Sequence, residues 1–245
     1  MPFWLIPAFF GTALLYASVG FGGGSTYSAL LALAGVDYRI LPIVSLACNI
    51  VVVTGGTIRF ARAGEVPGRG ALTVSLVAAP LAFLGGLTPL EESAFLALLG
   101  ASLVFAAVAL LLPVAEPSEV RAQPGWAMPL AAAPLGYLAG LVGIGGGIFL
   151  APLLHLSRWD AARRIAATAS LFILINSIAG LVGQLAKSGA ARFAEALGWA
   201  LPLLLAVVVG GQIGSWLALR FLPATLIRRL TALLTGWVGL RLLLG

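Results

Sequence analysis

The sequence has few charged residues and only one histidine, one cysteine and one lysine. Charged residues make up 9% of the 245 residues, against about 25% in soluble proteins. A soluble fold of this size could not cover its surface with so few charges, which excludes a cytosolic enzyme. The single cysteine, Cys48, cannot form an intramolecular disulfide, and His155 has no cysteine or histidine cluster around it in the sequence. We therefore expect no metal site and no cofactor, and we interpret both residues as structural.

Hydrophobic residues make up 61% of the chain, which indicates an all-α polytopic membrane protein. The net charge of +6 is typical of membrane proteins whose cytoplasmic loops collect arginine, and we expect no nucleic-acid partner. No positively charged region precedes the first apolar segment, so we expect no cleavable signal peptide. The apolar segments are Phe3–Leu33, Ile40–Ile58, Ala71–Leu90, Ala94–Leu112, Trp126–Leu156, Ile165–Leu185, Leu197–Leu219 and Leu230–Leu244.

The first and fifth segments are too long for simple spans, and a glycine run interrupts each of them. Each contains 31 residues, which as a continuous helix would measure about 46 Å at 1.5 Å per residue. The interruptions are Gly20–Gly24 and Gly143–Gly147, and consecutive glycines disfavour a helix. We interpret both segments as discontinuous elements, formed either as re-entrant hairpins or as two short half-helices each.

The glycine runs belong to an internal duplication. Val19–Gly24 matches Val142–Gly147 at an offset of 123 residues, and Asp37 matches Asp160 at the same offset. After a two-residue indel the offset becomes 125 residues, which aligns residues 85–86 with 210–211. The sequence therefore predicts a first membrane repeat (1–113), a linker (114–125) and a second membrane repeat (126–245). Each repeat holds four apolar segments, of which the first is broken.

The distribution of basic residues favours repeats of opposite orientation. If each repeat crosses the bilayer four times, each side of the membrane receives seven basic residues. If each broken segment enters and leaves on the same side, the split becomes ten to four, as expected for a cytoplasmic excess. The sequence thus predicts inverted repeats with both termini outside. The ten are Arg59, Arg62, Arg69, Arg121, Arg158, Arg163, Arg164, Arg220, Arg228 and Arg229, and the four are Arg39, Lys187, Arg192 and Arg241.

The glycine runs are also the strongest candidates for a binding site. Unwound backbone at membrane depth is tolerated only where it faces protein or a water-filled cavity. A half-helix that begins after such a break directs its positive end into that space, so two such ends would bind an anion without a buried cation. Polar residues near the breaks would add hydrogen-bond donors. The candidate binding residues are Gly22, Gly23, Gly24, Ser25, Thr26, Ser45, Asn49, Gly145, Gly146, Gly147, Ser170 and Asn176.

Several of these features have structural alternatives. Glycine runs also serve tight helix packing, and an asparagine in an apolar span also forms hydrogen bonds between helices. Asp37 and Asp160 occupy equivalent repeat positions and are our candidates for ion coupling, with helix capping as the alternative.

Two half-helix ends carry about half a positive charge each, which suits a monoanion. A dianion would need a basic residue at the cavity mouth, for which Arg59 and Arg163 are the candidates.

The motifs resemble the TauE/SafE family, also called the sulfite exporter family. The residues that carry the resemblance are Leu141–Pro152 and Ala166–Leu171, with diverged copies at Val19–Ser25 and Val44–Leu46. The resemblance covers the whole chain and implies a transporter in the cell inner (plasma) membrane that moves sulfur oxyanions or organosulfonates, such as sulfite, thiosulfate or sulfoacetate. Its partners would be a small anion and the lipid bilayer, and it would have no catalytic residues. The alternative is a membrane assembly or regulatory subunit without transport activity. Transport direction and oligomeric state stay open.

Overall fold

The computed structural model describes residues 1–19, 22–112, 124–217 and 224–244. Gly20 and Phe21 of the first glycine run, most of the predicted linker, and Arg121 and Arg220 lie outside the described residues. The described residues form helices throughout, which confirms the all-α class. The helices are α1 (Leu5–Val19), α2 (Gly24–Leu33), α3 (Leu41–Arg62), α4 (Gly68–Leu87), α5 (Glu92–Leu111), α6 (Ala127–Val142), α7 (Gly147–Leu156), α8 (Ala162–Leu217) and α9 (Ala224–Leu244).

Five helical stretches among the described residues are long and apolar enough to cross a membrane. They are Leu41–Arg62, Gly68–Leu87, Glu92–Leu111, Ala162–Gly189 and Ala191–Gly214. Large apolar side chains remain exposed on the outer faces of these and neighbouring helices, including Phe105 (59% exposed), Leu205 (68%) and Leu233 (68%). An apolar outer surface of this kind is stable against lipid rather than water. The chain is therefore a multi-pass membrane protein.

Each of the two long segments is divided into two helices. The first yields α1 and α2, and the fifth yields α6 and α7. In the second break Gly143, Gly145 and Gly146 have φ angles of 78°, 85° and 77°. These values lie in the left-handed region, which glycine enters without the steric cost of a Cβ. The last glycine of each run, Gly24 or Gly147, is the first residue of the following helix.

The sixth and seventh apolar segments are joined by helix rather than by a long loop. The first helix runs to Gly189, whose φ of 73° and ψ of 169° are not helical, and the second begins at Ala191, so that α8 bends at Gly189. The stretch 186–196 contains no proline and is rich in alanine, the residue with the highest helix propensity, so the helix resumes after the bend. We call Ala162–Gly189 the first arm of α8 and Ala191–Gly214 the second arm.

Glycines bring helices of the two predicted repeats into backbone contact. In the first pair, α4 meets α6, where a Cβ on Gly85 would meet the Tyr137 carbonyl. In the second pair, the second arm of α8 meets α1, where a Cβ on Gly210 would meet the Phe10 carbonyl. Gly85 and Gly210 are equivalent in the predicted duplication. The helix before each break thus packs against the other repeat through equivalent glycines, a close approach typical of membrane helices.

We expect Gly210→Ala to destabilise the protein and Gly211→Ala to leave it intact. A Cβ on Gly210 would meet the backbone of α1, whereas nothing lies within 4 Å of a Cβ on Gly211. Overpacking of this kind costs about 1–3 kcal/mol, while an unobstructed glycine-to-alanine change favours the helix. The measurement is the thermal unfolding midpoint of the two purified variants in the same detergent. Equal midpoints would show that α1 does not pack on α8 in this way.

Candidate functional site

The two glycine breaks lie against each other. A Cβ added to Gly24 would collide with the backbone carbonyl of Ile144, because it would lie only 2.8 Å from the carbonyl carbon. Only a glycine permits this approach, because any side chain at position 24 would push the two backbones apart. The structure therefore brings the starts of α2 and α7 together, although the glycine runs are about 120 residues apart in the chain.

Asn49 of α3 lies between the two breaks. Its side chain is fully buried, and its Nδ2 donates a hydrogen bond to the Ile144 carbonyl at 3.1 Å. That bond fixes the orientation of the amide and directs Oδ1 towards Gly22, where a Cβ would lie 2.9 Å away. On the other side of the amide, a Cβ on Gly145 would lie 2.6 Å from Nδ2. The same side chain thus contacts both glycine runs.

Three buried polar atoms beside the breaks have no hydrogen-bond partner among the residues that the structure describes: Asn49 Oδ1, Ser177 Oγ and the Tyr27 hydroxyl. A Cβ on Gly145 would lie 3.0 Å from Ser177 Oγ, and a Cβ on Gly23 would lie 2.7 Å from the Tyr27 Cζ that bears the hydroxyl. Leaving such a group unsatisfied costs about 1–3 kcal/mol. Their concentration at the breaks indicates that a water molecule or a ligand completes these hydrogen bonds.

Other hydroxyl groups support the first turn of α2. Ser45 Oγ donates to the Gly24 carbonyl at 3.1 Å and accepts a bond from Ser28 Oγ at 3.0 Å. The Thr26 and Tyr16 hydroxyls are 2.8 Å apart, and Ser25 is 2% exposed. Most of the candidate binding residues therefore do lie together around the two helix starts. This group comprises Gly22, Gly23, Gly24, Ser25, Thr26, Ser45, Asn49, Gly145, Gly146 and Gly147.

Ser170 and Asn176 have their contacts elsewhere. The Ser170 hydroxyl lies 3.0 Å from that of Thr57 and joins the first arm of α8 to α3. Asn176 Nδ2 donates to the Phe172 carbonyl of its own helix at 2.9 Å, and a Cβ on Gly136 would lie 2.9 Å from Asn176 Oδ1. Ser170 thus joins two helices, whereas the hydrogen bond of Asn176 stays within its own helix, and among the described residues its Oδ1 has no partner.

The two equivalent aspartates lie at loops outside the helical spans. The Arg39 backbone N–H donates to Asp37 Oδ1 at 2.8 Å, and the Ala161 backbone N–H donates to Asp160 Oδ1 at 2.8 Å. The Asp160 carboxylate is also 3.7 Å from the Arg164 guanidinium. Both bonds are local turn contacts just before a helix, because Arg39 precedes α3 and Ala161 precedes α8. Ile40, the N-cap residue of α3, has no side-chain capping bond.

A cavity of about 340 Å³ lies beside the second break. Pro42 and Leu141 line it, and a Cβ on Gly143 would lie only 2.5 Å from the Pro42 Cα. Three basic side chains also line it, Arg39, Lys187 and Arg192. The sequence had indicated that these three residues share one side of the membrane, but had given no sign that they surround a common space. The remaining lining residues are Tyr38, Thr88, Pro89, Leu90, Phe95, Gln184 and Ser188.

Arg59 and Arg163, the two arginines expected at a cavity mouth, do not line this cavity. Arg163 pairs with Glu65 at 3.1 Å. Arg59 Nη2 donates to the Ala17 carbonyl near the end of α1 at 3.3 Å, where a cation interacts favourably with the helix dipole.

In the cavity, Arg39 Nε donates to the Tyr38 hydroxyl at 3.0 Å, and this bond raises the pKa of the guanidinium. Arg39 is therefore charged at every physiological pH.

The glycine-broken helices, the apolar outer surface and the buried polar centre define a polytopic membrane protein of the transporter class. The chain belongs to the TauE/SafE family, since the family model described as Sulfite exporter TauE/SafE matches residues 5–242. It is 34% identical over 241 residues to the probable membrane transporter protein y4hK of Sinorhizobium fredii (strain NBRC 101917 / NGR234), with 96% of each chain covered. No solved structure matches the chain. The protein is thus a membrane transporter with a small-molecule substrate.

We expect Asn49→Leu to destabilise the protein more than Asn176→Leu. The first change leaves the buried Ile144 carbonyl without its donor, whereas the second removes a bond to the Phe172 carbonyl within the same helix. A buried unsatisfied group costs about 1–3 kcal/mol. Thermal unfolding of both variants in the same detergent measures the difference. A larger loss in Asn176→Leu would contradict the assignment of Asn49 as the residue that joins the breaks.

Proposed function

We propose that the protein transports a small sulfur oxyanion or organosulfonate, such as sulfite, thiosulfate or sulfoacetate, across the cell inner membrane. The anion binds at the paired starts of α2 and α7. The observation that carries this proposal is the contact between the two breaks, surrounded by buried polar atoms without partners. An assembly or regulatory subunit would have no need to keep unsatisfied polar groups in the centre of the membrane domain.

The electrostatics of two helix starts suit a single negative charge. The first backbone N–H groups of a helix have no partner within the helix, and each helix start carries about half a positive charge. The hydroxyls of Ser25 and Ser177 add possible donors. Asn49 Oδ1 can only accept, so it favours an oxyanion that carries a proton, such as hydrogen sulfite, or a bound water. A three-oxygen monoanion therefore matches the number and kind of groups at the breaks.

The test is anion flux through the purified protein in proteoliposomes. We expect uptake of radiolabelled sulfite that methanesulfonate inhibits strongly. Dimethyl sulfone has nearly the same shape without a charge and should not inhibit, because the helix dipoles provide no attraction for it. Gly24→Ala should abolish flux, since its Cβ meets the Ile144 carbonyl, whereas Gly11→Ala in α1 should transport normally, with nothing within 4 Å of its Cβ.

Two results would contradict the proposal. Equal inhibition by methanesulfonate and dimethyl sulfone would remove the electrostatic basis of binding. Normal flux in Gly24→Ala would show that the contact between the breaks is not part of the transport site. An absence of flux for every anion tested would favour the assembly or regulatory function.

We also propose that the repeats are inverted, with both termini outside. Two sets of contacts support this orientation. Arg163 pairs with Glu65, and both residues belong to the side predicted to hold ten basic residues. Arg39, Lys187 and Arg192 line one cavity, and all three belong to the side predicted to hold four. Parallel repeats would instead place Arg39 with Arg163, on the side opposite Lys187.

Labelling of single cysteines tests this orientation. In a Cys48→Ala background, which removes the one native cysteine, we expect Arg39→Cys and Arg192→Cys to react with a membrane-impermeant maleimide added to intact cells. Arg62→Cys and Arg163→Cys should react only after the cells are permeabilised. The four positions are exposed, so burial does not limit the reaction. Labelling of Arg39→Cys together with Arg163→Cys from the same side would establish the parallel arrangement.

A further inference from the structure

The cavity beside the second break has an uneven distribution of charge. Arg39 reaches it from the loop between α2 and α3, whereas Lys187 and Arg192 reach it from the two sides of the α8 bend. Among the described residues that line the cavity, none is a carboxylate. Asp37 and Glu92 lie close enough to act on Arg39, so three cations face two nearby carboxylates and the local charge stays positive.

Buried polar atoms of the same cavity also lack partners. Gln184 is 1% exposed, and its Nε2 donates to the Gly140 carbonyl at 2.8 Å. That bond fixes the amide, and within the described part of the chain neither its buried Oε1 nor the buried Ser188 Oγ has a partner. Polar groups of this kind are normally completed by water or a ligand. The cavity therefore offers three cations, a hydroxyl and an acceptor to a polar molecule.

The size and position of the cavity also favour a ligand. Its volume of about 340 Å³ lies within the range of roughly 300–1,000 Å³ of small-molecule sites. Gln184 donates a hydrogen bond to the carbonyl of Gly140, three residues before the second break begins. Pro42 contacts Gly143, the first residue of that break. A molecule in the cavity is therefore next to the break, on the side of the membrane that carries Arg39.

We propose that this cavity is a second anion site, which binds one acidic group of a small organic dianion whose other acidic group is bound at the breaks. The inference rests on the proposed function, because the breaks compensate about one negative charge and leave a second charge to be bound elsewhere. The cations of the cavity, Arg39 from the loop between α2 and α3 and Lys187 and Arg192 from α8, supply that compensation. The substrate class is then an organic acid with two anionic groups, such as a sulfonate that also carries a carboxylate.

The experiment compares a dianion with a monoanion in proteoliposomes. The triple variant Arg39→Gln, Lys187→Gln, Arg192→Gln removes the cations, and we expect its KM for sulfoacetate to rise about tenfold. Each exposed or partly exposed charge pair contributes only modestly to binding, so the tenfold rise, about 1.4 kcal/mol, is expected from the loss of all three cations together. The KM for methanesulfonate should change less than twofold, and the maximal rate for both anions should be unchanged.

The matched control is Arg69→Gln, which removes the one cation among the described residues lining a second cavity of about 370 Å³. It should leave the KM for sulfoacetate unchanged. If the triple variant does not fold, Arg192→Gln alone should still raise that KM about two- to fourfold, because a single pair is removed. An unchanged KM, or an equal rise for sulfoacetate and methanesulfonate, would overturn the inference.

Calorimetric binding separates this inference from the proposed function. Sulfoacetate should bind the detergent-solubilised wild-type protein more tightly than the triple variant, whether or not flux is measured. If no anion is transported but this difference in affinity is present, the proposed function is wrong and the second anion site stands. If transport occurs and the two affinities are equal, the second site is wrong and the proposed function stands.

Discussion

Backbone groups released by a broken helix must find partners inside the protein, because lipid offers none. The Ile144 carbonyl, which lies within the second break, accepts a hydrogen bond from the Asn49 amide at 3.1 Å. Ser45 donates to the carbonyl of Gly24, the first residue of α2, also at 3.1 Å. Both donors lie on α3, so one continuous helix is bonded to both breaks. Gly24 completes the arrangement because it has no Cβ to hold the two backbones apart. The positions of the α2 and α7 starts, and of any ligand between them, depend on these bonds.

The same centre keeps polar atoms for which the described residues supply no partner. A fold selected only for stability would replace Asn49 Oδ1 or Ser177 Oγ with apolar atoms, since each unsatisfied group costs about 1–3 kcal/mol. Their retention beside two helix starts is explained if a substrate completes the bonds during transport. The cationic cavity lies between the breaks and one membrane surface. Gln184 and Pro42, which line it, connect it to the second break. Neutral donors at the breaks and cations in the cavity would let an anion bind without being trapped, because no cation among the described residues lies at the breaks themselves.

Local features of the sequence predicted the helical class, the apolar segments and the two breaks, because hydropathy and glycine propensity act over a few residues. The partners of the site were beyond such reasoning, since Asn49 and the Ile144 carbonyl are 95 residues apart in the chain. Asn176 was expected at the site because it lies in the repeat-equivalent helix. It is two positions out of register, and two residues turn a helix by about 200° at 3.6 residues per turn, so its side chain points elsewhere. The basic residues could be counted by membrane side, but only the bend at Gly189 brings Lys187 and Arg192 to the same cavity as Arg39.

The most direct test of the central claim, that the two glycine-broken helix starts form the anion site, is a crystal structure of the transporter soaked with selenite. Selenium replaces sulfur in an oxyanion of the same shape and scatters anomalously, so its position is measured independently of the protein coordinates. The account predicts an anomalous peak between the first turns of α2 and α7, within hydrogen-bonding distance of backbone N–H groups at Gly24 or Gly147. A peak confined to the cavity of Arg39, Lys187 and Arg192, with none at the breaks, would contradict it.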